Sequence, residues 1–185
     1  MLSSRPEPNF ARIQRLSRRL QFVCTVALLL PPIILALYWA FYNDLPPAAQ
    51  AHHRVGILVV GVLQPAVRAL AWAVCLLPAG VTMYGLWLLR RLFVFYERGQ
   101  IFEIENVRCF RGLGRVLLAQ AAANVLAVPL LAVVLSSGNP PGQKQLAFSF
   151  GSGELMILLL GCVVLVIAAV MEEGRRLAEE QRLTI

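Results

Sequence analysis

The sequence predicts an all-α membrane protein, a four-transmembrane-helix bundle with both termini in the cytoplasm. Two observations predict this fold. The 185-residue chain is 58% hydrophobic and only 15% charged, whereas a soluble domain has about 25% charged residues. It also contains four long runs without a charged residue. A helix rises about 1.5 Å per residue, so about 20 apolar residues cross a hydrocarbon layer of about 30 Å.

The four uncharged runs are Gln21–Asn43, Ala69–Leu89, Val116–Gln143 and Leu155–Met171. Each must be helical, because backbone polar groups in lipid have no water to bond. With their flanks, the runs predict helices over about residues 20–42, 67–97, 105–136 and 154–180. Residues 43–64 and 137–153 then form outer loops, residues 98–104 form an inner loop, and residues 1–185 form a single membrane domain.

The distribution of cations sets the orientation. Of the 17 Lys and Arg residues, 14 lie before the first run, between the second and third runs, or after the fourth. Only Arg54, Arg68 and Lys144 fall on the other side. The positive-inside rule therefore places both termini in the cytoplasm. A cleavable signal peptide is the alternative, but the first run of 23 residues exceeds the roughly 7–15 residues of signal-peptide cores.

The segment before the first run alternates arginines with apolar residues at helical spacing. We expect either an amphipathic helix at the membrane surface or a plain positive flank of the first span. In both cases its arginines would attract anionic headgroups. These arginines are Arg12, Arg15, Arg18 and Arg19.

The outer loops carry signals for a small extracytoplasmic β element. Leu146, Phe148 and Phe150 alternate with small or polar residues, as in a half-exposed strand, and residues 55–63 form a second apolar stretch that is too short to span. We expect these two segments to pair, although residues 55–63 could instead extend the second helix.

Few polar groups lie within the spans, and no ionisable residue lies at mid-membrane depth. Gln120 and Asn124 are spaced i, i+4 and share a face of the third span. They are read either as interhelical hydrogen-bonding residues or as a small polar site. Because intramembrane charges usually mark ion and proton paths, their absence disfavours a proton-coupled transporter.

The inner loop and the C-terminal tail carry the most specific pattern. Its residues are Tyr96, Gly99, Ile101, Phe102, Glu105, Asn106 and Val107, then Arg111 and Gly114, and in the tail Glu173, Gly174, Leu177 and Glu180. This pattern resembles an uncharacterised bacterial four-helix inner-membrane family, domain of unknown function twenty-nine seventy-five. The resemblance implies a bacterial inner (cytoplasmic) membrane protein, and the family supplies no established activity. Some members are similar to proteins encoded beside small helix-turn-helix regulators, which implies a regulatory partner.

The tail also predicts local ion pairs. Glu172–Arg176, Arg175–Glu179 and Arg176–Glu180 are i, i+4 pairs. We also expect Glu172 or Glu173 to bridge to an arginine of the third helix, the candidates being Arg108, Arg111 and Arg115.

The sequence contains no catalytic motif, and we predict neither an enzyme nor a cofactor. The only two histidines, His52 and His53, are adjacent in one loop without ligands at metal-binding spacing. The four cysteines form no C-x-x-C pair. Two hypotheses remain. The first is a non-enzymatic interaction or regulatory protein that binds a cytoplasmic protein, such as a helix-turn-helix regulator, through its basic loop and tail, without binding nucleic acid directly. The second is a transporter or channel subunit with a small polar site at Gln120 and Asn124.

Overall fold

The structure is a computed structural model, and it describes residues 8–51, 57, 59, 61–98, 103–140 and 142–183. Every regular element in these residues is helical. The elements are α1 (Pro8–Ala40), a 3₁₀ turn (Tyr42–Asp44), α2 (Pro47–Ala51), α3 (Pro65–Glu97), α4 (Ile104–Ser136) and α5 (Ser152–Leu183). The predicted all-α class is therefore confirmed.

Four of these helices are long and apolar enough to cross a membrane. The candidate spans are Arg15–Ala40, Pro65–Glu97, Ile104–Ser136 and Ser152–Leu177. They coincide with the four uncharged runs of the sequence in the same order, although the first and third runs continue a few residues beyond their spans. The chain is therefore a multi-pass membrane protein.

Helix ends differ from the predicted ones where charged or proline-rich sequence continues a helix. The first helix begins at Pro8 and the last ends at Leu183, because the charged flanks remain helical outside the apolar runs. Proline occupies the first position of both α2 and α3, where its missing N–H costs no helical hydrogen bond. The sequence did not predict α2 or the 3₁₀ turn before it.

The chain forms two compact units. One comprises Met1–Leu28, Met83–Leu117 and Leu159–Ile185, and the other comprises Leu29–Thr82 and Leu118–Leu158. The first is called the basic unit, since its segments contain 14 of the 17 Lys and Arg residues. The second is called the loop unit, because it holds the two long connections, before α3 and after α4.

Glycines let the helices of the basic unit approach closely. A Cβ built on Gly114 of α4 would lie 2.6 Å from Leu165 Cγ and 3.2 Å from the Gly161 carbonyl of α5. On α3, a Cβ at Gly85 would lie 3.0 Å from Val116 Cγ1. In lipid the hydrophobic effect does not drive helices together, so close van der Waals packing at small residues stabilises such contacts instead. The buried apolar residues of this unit are Cys24, Leu88, Leu92, Val107, Cys109, Val116 and Ala168.

An aromatic cluster organises the loop unit. Trp39 and Tyr42 are each 2% exposed and stack with ring centroids 5.1 Å apart. Small buried residues of α3 and α4, including Ala71 and Ala132, pack in the same cluster. Asn43 joins the end of this cluster to the following loop, since its amide makes two hydrogen bonds of 3.1 Å to the backbone of Leu63.

The predicted β element is wrong for the residues that the structure describes. Residues 143–150 have no regular secondary structure. Phe148 and Phe150 do alternate with less exposed neighbours, but both aromatic rings are exposed, at 75% and 64%. The alternation arises because Ala147 packs against the aromatic cluster, and not from a strand ladder. Of the proposed partner segment, only residues 57, 59 and 61–63 are described.

Candidate functional site

Two regions concentrate polar side chains, one in each unit. The charged face of the basic unit consists of the exposed arginines together with the ion pairs that fix them. The polar cavity of the loop unit is lined by α3, α4 and the start of α5, with Leu35 from α1 and Ser149 from the connection between α4 and α5.

Glu97 joins α1 and α3, the first and second long helices, in the charged face. Its carboxylate accepts from Arg18, with Nη2 2.9 Å from Oε1, and from Gln21, with Nε2 2.8 Å from Oε2. The Arg18 side chain remains 80% exposed in this pair, whereas that of Glu97 is 28% exposed. The contact holds an arginine in a defined position without removing it from solvent.

Glu172 joins α5 to α4. Its carboxylate pairs with the Arg111 guanidinium, and both side chains are about half-buried. This confirms the predicted bridge for Glu172, whereas Glu173 is exposed. Of the three predicted tail pairs, Arg175–Glu179 and Arg176–Glu180 form. The pair Glu172–Arg176 does not form among the described residues, because Glu172 pairs with Arg111 and Arg176 with Glu180. The last turns of α5 are thus an ordered, charged helix.

Several arginines of the charged face have no acidic partner among the described residues. Those that make no ion pair there and are exposed are Arg19, Arg90, Arg98 and Arg115. Arg91 instead lies over two aromatic rings, 5.8 Å from the Trp87 centroid and 5.6 Å from that of Phe95. The charged face therefore carries a surplus of accessible cations.

The polar cavity has a volume of about 400 Å³. A short hydrogen-bonded chain lies on its wall: Thr82 donates to Gln120, with Oγ1 3.0 Å from Oε1, and Gln120 donates to Asn124, with Nε2 3.0 Å from Oδ1. Val74 also lines it, and the Val74 carbonyl has no helical donor because Pro78, four residues later, lacks an N–H. Gln120 and Asn124, paired by the sequence reasoning, thus face a common space.

One carboxylate is among the side chains that line the polar cavity. Glu154 lines it, and its Oε2 accepts a 2.9 Å hydrogen bond from the Gly151 backbone N–H. The other polar side chains of the lining are hydroxyls and amides, together with the Cys75 thiol. Hydroxyls and amides bind through hydrogen bonds and do not titrate near neutral pH. Within the described residues, no three His, Cys, Asp or Glu side chains are grouped to hold a metal ion.

Comparison with known proteins identifies the family. A model of the family described as "Protein of unknown function (DUF2975)" matches residues 22–185. The chain belongs to this family. No curated protein and no solved structure matches the chain significantly.

In this DUF2975 chain, the motif residues divide into packing residues and exposed residues. Asn106 is fully buried, Val107 is 3% exposed, and Gly114 makes the close contact with α5. Tyr96 and Glu105 are partly buried, and Arg111 holds Glu172. The tail residues Glu173, Gly174, Leu177 and Glu180 are exposed. Gly99, Ile101 and Phe102 lie outside the described residues.

The sequence reasoning missed the contacts made by residues distant in the chain. Arg18 was assigned to lipid headgroups, but its partner Glu97, 79 residues away, was not recognised. Nor does any sequence pattern indicate that Glu154 lines the polar cavity. No spacing rule could have found either contact, because both depend on how two separate helices are rotated.

Proposed function

We propose that the protein is a non-enzymatic protein of the bacterial cytoplasmic membrane that binds a protein partner through its charged face, with both termini in the cytoplasm. One observation carries the proposal. The last helix continues for 12 residues after Met171, the end of its uncharged run, up to Leu183. At about 1.5 Å per residue this projects an ordered charged helix about 18 Å beyond the apolar segment.

Exposure supports an interaction surface on this projecting helix. Leu177 is 52% exposed, and a Cβ built on Gly174 would meet no atom within 4 Å. Both residues belong to the family motif, yet neither is used for packing. Unpaired arginines such as Arg98 and Arg115 would favour a partner with an acidic surface. A small helix-turn-helix regulator is the kind of partner that the family resemblance implies.

Arginines at the start of the first span support the proposed orientation in the membrane. Arg15, Arg18 and Arg19 are exposed at the start of the first span, where they would contact anionic headgroups of the cytoplasmic leaflet. Arg12 belongs to the same proposed set, but its side chain lies outside the described residues. Direct binding of nucleic acid is not part of the proposal, since membrane orientation accounts for the positive charge.

A photo-crosslinking experiment in native membranes tests the proposal. A photoreactive amino acid at Leu177 or Arg98 should give one discrete crosslinked protein, which mass spectrometry identifies. The control position is Val163, which is 51% exposed on the apolar part of α5. The charge reversals Arg98→Glu and Arg115→Glu should abolish the adduct, and Lys144→Glu in the loop unit should not. Adducts no more abundant at Leu177 than at Val163 would refute the proposal.

A second candidate function rests on the polar cavity. In this proposal the protein is a transporter or channel subunit, and Thr82, Gln120 and Asn124 line a path for a small polar solute. The observation that favours it is the volume of about 400 Å³ beside these three side chains, since interhelical hydrogen bonding alone requires no space around the groups that it joins.

Cysteine accessibility separates a water-filled path from a lipid-filled groove. In a variant without native cysteines, Thr82→Cys in proteoliposomes should react with a membrane-impermeant thiol reagent if water fills the polar cavity. Val133→Cys, on an exposed apolar position of α4, should not react. Equal and negligible labelling at both positions would rule out the path.

A further inference from the structure

The loop unit contains a second pocket that shares no lining residue with the polar cavity. Its volume is about 310 Å³. The end of α1 and the start of α3 line it, with the residues Ala36, Trp39, Ala40, Pro65, Arg68, Ala69 and Trp72. This space is called the Arg68 pocket. Its lining side chains are apolar apart from one guanidinium and two indole N–H groups.

One edge of the Arg68 guanidinium is already used. Nη1 donates a 2.6 Å hydrogen bond to the Ala40 carbonyl, which is at the end of α1 and has no partner in the next helical turn. A cation there also suits the negative end of the helix dipole. This contact fixes the side chain against α1. It does not use the other edge of the guanidinium, which is formed by Nε and Nη2.

Two buried donors of the pocket have no acceptor. Arg68 Nε and Trp72 Nε1 are both inaccessible and make no hydrogen bond with any described residue. A buried donor without an acceptor is destabilising, because it has lost its hydrogen bonds to water and gained none in return. Both belong to side chains that line the same pocket, so small rotations of these side chains would present both donors to a single acceptor group placed there.

The missing acceptor should be negatively charged. The loop unit has only two carboxylates, Asp44 and Glu154, and neither forms an ion pair with Arg68 within the described part of the chain. Arginine presents two parallel N–H groups that match the oxygens of phosphate or carboxylate. The pocket thus offers a charged fork and an indole donor in an apolar setting.

We propose that the Arg68 pocket binds a phosphate group, held by the Nε and Nη2 edge of Arg68 and by Trp72 Nε1. Position favours phosphate over a soluble carboxylate. Arg68 immediately precedes the uncharged run Ala69–Leu89, so it lies at the depth where phospholipid phosphates lie, and tryptophans are enriched at the same depth. The phosphate comes either from a phospholipid headgroup or from the free anion. This inference is independent of the proposed partner at the charged face.

Ligand binding to the purified, delipidated full-length protein tests the proposal by native mass spectrometry. The probes are dioctanoyl phosphatidylglycerol, dioctanoylglycerol, which has the same chains without phosphate, and inorganic phosphate. Phosphatidylglycerol should bind saturably and dioctanoylglycerol should not. Saturable binding of inorganic phosphate alone would identify the free anion as the source of the phosphate.

Variants assign the binding to the named groups. Arg68→Gln should weaken phosphate-dependent binding by at least about tenfold, as expected for a hydrogen bond to a charged group. Trp72→Phe, which keeps an aromatic ring and removes the N–H, should weaken it about threefold or more. Arg68→Lys should be intermediate, since a lysine keeps the charge and loses the fork. Lys144→Gln, an exposed cation elsewhere in the unit, is the matched control and should bind normally.

The outcomes decide the proposal even if one variant misfolds. Arg68→Gln also removes the contact to α1, so circular dichroism and gel filtration must show a folded protein, and Trp72→Phe supplies an independent test that leaves this contact intact. Equal binding of the lipids with and without phosphate would overturn the proposal. So would the absence of saturable binding of any phosphate probe, or wild-type binding by folded Trp72→Phe and Arg68→Gln.

Discussion

The contact at Gly114 allows a quantitative prediction for Gly114→Ala. The new Cβ would lie 2.6 Å from Leu165 Cγ and 2.7 Å from Cδ2. The Cγ atom is near the base of the leucine side chain, and the Gly161 carbonyl at 3.2 Å belongs to the backbone, so neither can move away freely. Overpacking of this kind costs about 1–3 kcal/mol. Alanine recovers about 0.5–1 kcal/mol of helix propensity, which leaves a net loss of about 2 kcal/mol at the upper end of that cost.

Gly174→Ala is the matched control for this prediction. It lies within a helix of the same unit, but a Cβ there would meet no atom within 4 Å. Only the propensity term applies, and the variant should gain about 0.5–1 kcal/mol. Thermal unfolding in detergent measures both variants, and a loss of about 2 kcal/mol corresponds to about 4–8 °C in a chain of this size.

A double variant tests the mechanism behind the loss. Leu165→Ala removes the two atoms that the new methyl group would strike, so in its presence Gly114→Ala should cost at least about 1 kcal/mol less than alone. A Gly114→Ala protein as stable as Gly174→Ala would refute the reasoning. So would additive effects of Gly114→Ala and Leu165→Ala.

Three further predictions concern stability in the same assay. Glu172→Gln should lose about 1 kcal/mol or less, an effect that high salt reduces because the pair is half-exposed, whereas Glu173→Gln should change stability by less than about 0.5 kcal/mol. A larger loss for Glu173→Gln would contradict the observed pairing. Asn106→Ala should cost about 1–3 kcal/mol, since truncation of a fully buried side chain leaves a cavity, and an unchanged melting temperature would contradict its role in packing. Asn43→Ala should cost about 2 kcal/mol for two lost hydrogen bonds and accelerate proteolysis of the first long loop. The control Asp44→Ala, at an exposed position, should do neither. Equal proteolysis rates for the two variants would refute the role of Asn43 in holding this loop.

The spans could be predicted because a single physical constraint determines them. Lipid excludes charge and unpaired backbone groups, so runs such as Ala69–Leu89 can only be helices. The Glu172 bridge could also be predicted, because the tail glutamates and the arginines of α4 had to meet if α4 and α5 packed side by side. The start of α1 was less predictable, since charged sequence outside the membrane obeys no such constraint.

The remaining contacts depend on the rotation of one helix against another, which the sequence does not encode locally. Arg18 meets Glu97, and Arg68 reaches the Ala40 carbonyl at the end of α1, only because α1 and α3 present those faces to each other. The strand prediction failed for a related reason. Period-2 alternation at Phe148 and Phe150 reports that one side of a segment is covered, and an irregular segment lying on an aromatic cluster produces the same pattern as a strand.

The four spans differ in how many of their residues are buried, and this difference predicts how the sequences of family members diverge. In the most apolar window of α4, 28% of the residues are buried, compared with 6% in α1. An exposed apolar site within the first span, such as Phe22 or Ile33, would accept any residue that partitions into hydrocarbon. A site on α4 such as Ala121 or Ala132 must stay small. Amino-acid replacement should therefore be fast and nearly neutral along α1 and slow along α4, so that two distant members would align through their third span long after their first spans had ceased to resemble each other.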